Sequence, residues 1–234
     1  MSTAQRPWYA ELGARIRGHL FLTLTGTTAV VFMFLIGYFH TQRYPAFPLT
    51  VMPLLSLDRL IPFQPLALLP YLSLWVYVGV GPALQRTRAE LLVYGLWTGA
   101  LCLTGLAFFY FLPTQVPPSM IELGSGSAAR ALLHRVDAAG NACPSMHVAA
   151  AVFTAIRVQE VLRWARSPKP LRLLNVGFCA LICYSTLAVK QHVVLDVVAG
   201  AVLGSIFTAM SLYWRPGVPV VEVARSARVE DASR

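Results

Sequence analysis

HVVLDVVAGAVLGSIFTAMSLY, residues 192–213, carries a single formal charge, Asp196, and the next one along the chain is Arg215. An α-helix needs about 20 mostly apolar residues to cross the hydrocarbon core of a bilayer, and this run has that length. Its acid matters as much as its apolar body, because a carboxylate at membrane depth is costly and is kept for a partner or a reaction. His192 lies four positions before Asp196, one helical turn away, and Gly200 and Gly204 continue the same stripe. Small residues mark the face on which a neighbouring helix packs. The spacing therefore predicts that His192 and Asp196 share a helix face that points into a bundle.

The same pattern extends through the chain. No Asp, Glu, Lys or Arg occurs between Arg17 and Arg43, Arg59 and Arg86, Glu90 and Glu122, Asp137 and Arg157, or Arg172 and Lys190. Of 234 residues, 56% are hydrophobic and 12% charged, with a mean hydropathy of +0.60. Soluble domains carry about 25% charged residues, so this chain lacks the means to cover a globular surface. It reads as an all-α integral membrane bundle of about six transmembrane helices, near residues 19–39, 65–84, 91–112, 144–163, 171–190 and 192–213. Residues 1–18 form an N-terminal segment, 19–213 the transmembrane domain and 214–234 a polar tail. The first span is long for a signal peptide and lacks a small-x-small site before His40, so it is expected to be retained. The net charge of +9 does not point to nucleic acid, because the basic residues lie between apolar spans rather than in one patch.

The positive-inside rule sets the orientation. With both termini cytoplasmic, 14 of the 19 Lys and Arg residues fall inside, and only Arg43, Arg59, Arg130, Arg135 and Lys190 fall outside. Residues 40–64 and 113–143 then form two long outer loops. The second contains Ser125-Gly126-Ser127 and a short interfacial helix over Ala128–Val136. Loops of this length tend to be functional, and these are expected to border a site on the outer face. Cys102, Cys143, Cys179 and Cys183 have no metal or redox spacing and read as packing residues. No His or carboxylate cluster has ligand spacing, so neither metal nor cofactor is expected.

Two of the five histidines fall at the outer ends of spans. His147 lies in Asn141-Ala142-Cys143-Pro144-Ser145-Met146-His147. Proline at the first helical position makes a good helix start, and the free N–H groups and positive dipole end of such a start favour an anion. With the Ser145 hydroxyl beside it, this is either an ordinary helix start or a phosphate cradle. In the second cluster, a carboxylate one turn from an imidazole fixes its tautomer and raises its basicity, as a nucleophile or general base requires. A helix-stapling His–Asp pair is the structural alternative.

Pro144-Ser145-Met146-His147 and Ser185-Thr186-x5-His192-x3-Asp196 resemble the second and third signatures, P-S-G-H and S-R-x5-H-x3-D, of the type-2 phosphatidic acid phosphatase superfamily. The resemblance implies a metal-independent six-helix membrane enzyme acting on a phospholipid or other lipid phosphoester near the outer surface. It makes His192 the nucleophile that becomes a phosphohistidine, oriented by Asp196; His147 the acid that protonates the leaving alcohol; and Ser145 a phosphate ligand. The family's first motif, K-x6-R-P, is missing, Met146 replaces its glycine and Thr186 its arginine. Lys190-Gln191-His192-x3-Asp196 is similar instead to the branch that includes inositol phosphorylceramide synthases, which transfer a headgroup to a lipid alcohol. Lys190, four residues after Thr186, shares its face on a continuous helix and is expected to neutralise the phosphate. Lipid phosphatase is the leading reading. The alternatives are a headgroup phosphotransferase and a catalytically dead lipid-binding or scramblase-like relative. The short loops suit a bacterial inner membrane, and the sequence says nothing of oligomeric state.

Overall fold

The computed structural model describes residues 7–121 and 140–214. The tail beyond Trp214, the Ser125-Gly126-Ser127 stretch and the helix expected over 128–136 lie outside them. Helix α1 (Trp8–Gly18) leads into α2 (Leu20–Arg43). A 3-10 turn at Pro65–Ala67 opens α4 (Leu68–Ala83), and α5 (Arg88–Phe111) follows after a short turn. Further on come α7 (Met146–Trp164), α8 (Lys169–Ala188) and α9 (Val194–Tyr213). Two short helices, α3 (Ser56–Leu60) and α6 (Pro118–Ile121), lie in the loops, with strands β1 (Thr50–Val51) and β2 (Thr114–Gln115) pairing in parallel.

Five of these segments are long and apolar enough to cross a membrane: Leu20–Arg43, Pro65–Ala83, Arg88–Phe111, Lys169–Ala188 and Val194–Tyr213. They mark the chain as an integral membrane protein. Their outer faces carry Phe21, Phe32, Leu69, Val76, Leu103, Leu173 and Val202, all exposed, as expected where the solvent is lipid. The fourth predicted span, α7, differs. It is less apolar because Arg157, Glu160 and Arg163 occupy its last two turns. It packs against α4, α5, α8 and α9 at once, and Val148, Ala149, Ala151 and Phe153 are fully buried along it. Arg157 is buried too, donating to Glu160 at 3.2 Å and to Gln85 at 3.4 Å.

Polar locks supplement the apolar contacts, as they do between helices in lipid. The Tyr77 hydroxyl donates to Asn175 Oδ1 at 2.8 Å, and the Asn175 amide donates to the Ala155 carbonyl at 3.0 Å, tying α4, α7 and α8 together. Helix α1 docks at the end of the bundle where α4 stops. Arg15 donates to the Leu84 carbonyl and lies over the Trp164 ring, with its guanidinium 4.4 Å from the centroid.

Two helix starts fall later than the sequence suggests. Helix α7 begins at Met146 with Ser145 as its cap, so Pro144 precedes the cap rather than taking the first helical position. Helix α9 begins at Val194, leaving His192 in the connection from α8 and not on the helix face that carries Asp196. The glycine stripe behaves as expected. A Cβ on Gly200 would overlap the Ser145 carbonyl, and one on Gly204 the Ala149 carbonyl, so α9 lies against the backbone of α7.

Gly204→Ala should therefore destabilise the bundle by about 1–3 kcal/mol, the usual cost of overpacking. Gly177→Ala, with open space around it, should leave stability unchanged or slightly raised, because alanine is the better helix former. Thermal melts of the detergent-purified variants check this, and equal midpoints for the two would contradict the close approach.

Candidate active site

Two helix N-termini meet at the end of the bundle opposite α1. Ser145, fully buried, caps α7 by accepting the Val148 amide on its hydroxyl oxygen at 3.3 Å. Its own N–H donates to the carbonyl of Asp196 at 3.0 Å. One backbone bond thus stitches the start of α7 to the first turn of α9, just above the Gly200 contact.

His147 projects from the first turn of α7. Its ring stacks on Tyr71 with centroids 4.3 Å apart and planes 19° from parallel, and Trp75 meets it edge-on at 6.1 Å. Tyr71 and Trp75 lie four apart on α4, so one helix face presents both rings. The Nε2 atom of His147 is buried and has no hydrogen-bond partner among the described residues.

His192 is held from two sides. The amides of Gln191 and His192 both donate to the Thr186 carbonyl at 3.2 Å, which fixes the backbone. The imidazole Nδ1 lies 3.0 Å from the Ala142 carbonyl. A carbonyl only accepts, so Nδ1 carries a proton, and in the neutral ring the free lone pair is on Nε2. The centroids of His147 and His192 are 6.0 Å apart.

Asp196 is fully buried, yet it is not the direct hydrogen-bond partner that the sequence suggests. Its Oδ2 is 3.6 Å from His192 Nδ1, too long for a hydrogen bond, and accepts instead from the Val193 amide at 3.0 Å. The reason is the late start of α9: with His192 off the helix, Ala142 supplies the orienting acceptor. Asp196 caps its own helix and sets a negative charge beside the imidazole. Its Oδ1 has no hydrogen-bond partner among the described residues.

Lys190 also departs from expectation. Helix α8 ends at Ala188, so no continuous face joins Thr186 to Lys190. Lys190 has a φ of 59°, and its ammonium donates to the carbonyls of Asp58, at 2.9 Å, and Ile61. None of these hydrogen bonds reaches His147, His192, Ser145 or Asp196.

The two loops meet beside this site. Strands β1 and β2 pair, Gln115 bridges to Gly140, and Thr114 binds the amides of Ala142 through its carbonyl and of Cys143 through its hydroxyl. The Asn141 side chain donates to the Tyr38 carbonyl at 2.8 Å. These bonds place the Ala142 carbonyl under His192. A hollow of about 640 Å³ lined by Trp8, Arg15, Arg86 and Trp164 lies at the other end of the helices and contains neither histidine. Sequence reasoning missed Tyr71, Trp75 and the Ala142 carbonyl. The i, i+4 aromatic pair was a usable signal for the first two, whereas a backbone acceptor far along the chain leaves none.

Residues 89–218 match the family described as the PAP2 superfamily. That stretch is more than half of the chain and contains His147, His192 and Asp196. No curated protein and no solved structure matches the chain.

The geometry predicts which tautomer the neutral His192 ring adopts. Nitrogen-15 spectra of histidine-labelled protein should show it protonated at Nδ1, and the assignment should vanish in His192→Gln. A neutral ring with its proton on Nε2 would contradict the Ala142 contact.

Proposed function

The chain belongs to the PAP2 superfamily, and we propose that it cleaves a lipid phosphate ester through a phosphohistidine formed on His192. The observation that carries this reading is the pairing of His147 and His192 at two stitched helix starts, with ring centroids 6.0 Å apart. That separation suits two imidazoles acting on opposite sides of one phosphoryl group. The Nε2 lone pair of His192 attacks phosphorus, and an N–P bond forms as the bond to the lipid oxygen breaks. His147, whose Nε2 is unpartnered, gives its proton to the leaving alcohol. It then takes a proton from water, which attacks phosphorus, breaks the N–P bond and releases phosphate. Positioned proton transfer of this kind is worth about 10²–10⁴-fold in rate.

The phosphoryl oxygens rest on the Met146 and His147 amides at the start of α7, which lack intrahelical partners, and on the Ser145 hydroxyl. Asp196 offsets the positive charge that develops on His192. No metal takes part in this scheme. Thr186 stands where the family carries an arginine, so further neutralisation falls to other arginines such as Arg43 at the end of α2 and Arg59 in α3.

The same proposal counts α7 as a sixth span. Its charges lie in its last two turns, and α1 and most of the basic residues lie at that end, so the positive-inside rule puts that end in the cytoplasm and the site on the outer face. A cysteine at Tyr44 should react with an impermeant maleimide from outside in a background without native cysteines, and one at Pro168 should not. The reverse pattern would place the site inside.

Detergent-purified protein should release phosphate from a lipid monophosphate, and the activity should survive EDTA. His192→Ala should abolish turnover, and His147→Ala should lower it at least about 100-fold. A fully active His192→Ala variant would overturn the mechanism. With a phospholipid diester labelled at phosphorus as donor and a lipid alcohol added, transfer of the label to that alcohol in place of hydrolysis would reassign the chain to headgroup transfer, as in inositol phosphorylceramide synthases. A wild type inactive toward both acceptors would favour a lipid-binding relative.

A further inference from the structure

His192 is bracketed by two bonds to one residue on a distant loop. On one side, the Lys190 ammonium donates to the Asp58 carbonyl, 132 positions away along the chain, and to that of Ile61, at the end of α3. On the other, Asp58 Oδ1 accepts the Val194 amide at 2.8 Å, the first residue of α9, while its Oδ2 accepts the Leu55 amide at 2.8 Å. Asp58 is 2% exposed and Lys190 3%. Only Gln191, His192 and Val193 lie between the two attachment points.

Backbone conformation sharpens the case. Lys190 follows the end of α8 with a φ of 59°, a position that glycine fills most readily. A glycine there would serve the turn alone. What lysine adds is an ammonium that spans to α3, and burial of that ammonium is tolerated because Asp58 supplies both a carbonyl and a nearby carboxylate. Its charge is thereby spent within the protein and not on a substrate.

We infer that Asp58 and Lys190 form a clasp that positions His192, holding residues 190–194 so that Nδ1 stays on the Ala142 carbonyl and Nε2 faces the phosphorus. The inference rests on His192 being the nucleophile. Two readouts on the full-length protein keep the two ideas separable: lipid monophosphate turnover, and hydrogen exchange of the 191–194 amides. Lys190→Gly relaxes the turn and removes the ammonium, and Lys190→Met keeps the bulk without the charge. Both should lower kcat at least about tenfold, as misplaced reacting groups do, with KM within twofold. Both should also speed exchange at 191–194, and Lys190→Arg should recover most of kcat. Asp58→Asn should reproduce the exchange change.

Wild-type kcat in Lys190→Gly would overturn the clasp. A fall in kcat with unchanged exchange would overturn it too, returning the ammonium to the substrate. If the wild type turns over no lipid phosphate, the functional reading fails by itself, and unchanged exchange in the Lys190 variants then removes the clasp as well.

Discussion

Close backbone contact between α7 and α9 is the constraint on which the site depends. Gly200 and Gly204 carry no Cβ, so α9 lies on the Ser145 and Ala149 carbonyls. That approach lets the Ser145 amide reach the Asp196 carbonyl. It brings two helix N-termini to one end of the bundle, with their dipoles pointing the same way. His147 stands on one of these starts and His192 immediately before the other. Any side chain at Gly200 separates the helices and, with them, the imidazoles.

Around that contact, the loops act as a frame. The β1–β2 pair and Thr114 hold Ala142, whose carbonyl sets the tautomer of His192. Asp58 holds the start of α9, and Tyr71 holds the plane of His147. Two departures from the superfamily's motifs find physical accounts here. Met146 takes the place of a motif glycine, but its side chain points away into α5, where Gly105 leaves room for it. Thr186 takes the place of an arginine and is fully buried. Its hydroxyl bonds back to the Cys183 carbonyl, and its own carbonyl anchors the His192 backbone.

What the sequence reveals follows the range of the interactions. The spans are legible because lipid excludes charge, and gaps such as Arg17 to Arg43 register that directly. The glycine stripe is legible because helical spacing is local. His147, His192 and Asp196 are legible as residue types at fixed intervals. Their settings are not, because the acceptor for His192 is a backbone carbonyl 50 positions away and the acid that accepts the Val194 amide beside them lies 136 positions away. Lys190 shows the failure most clearly. A continuous helix would have carried it to the site, but α8 ends at Ala188 and the side chain follows the loop. Helix α1 is hidden for a different reason: Arg15 and Arg17 read as topology charges, while its docking depends on Leu84 and Trp164.

The central claim is that phosphorus becomes bonded to His192. Its most direct measurement is rapid acid-free quenching of the His147→Ala protein with a lipid monophosphate labelled at phosphorus, followed by peptide mapping. The account predicts a base-stable, acid-labile label on the peptide containing His192 and none in the His147→Ala, His192→Ala double variant. Label on another residue, or turnover by the wild type with no labelled intermediate at any quench time, would contradict it.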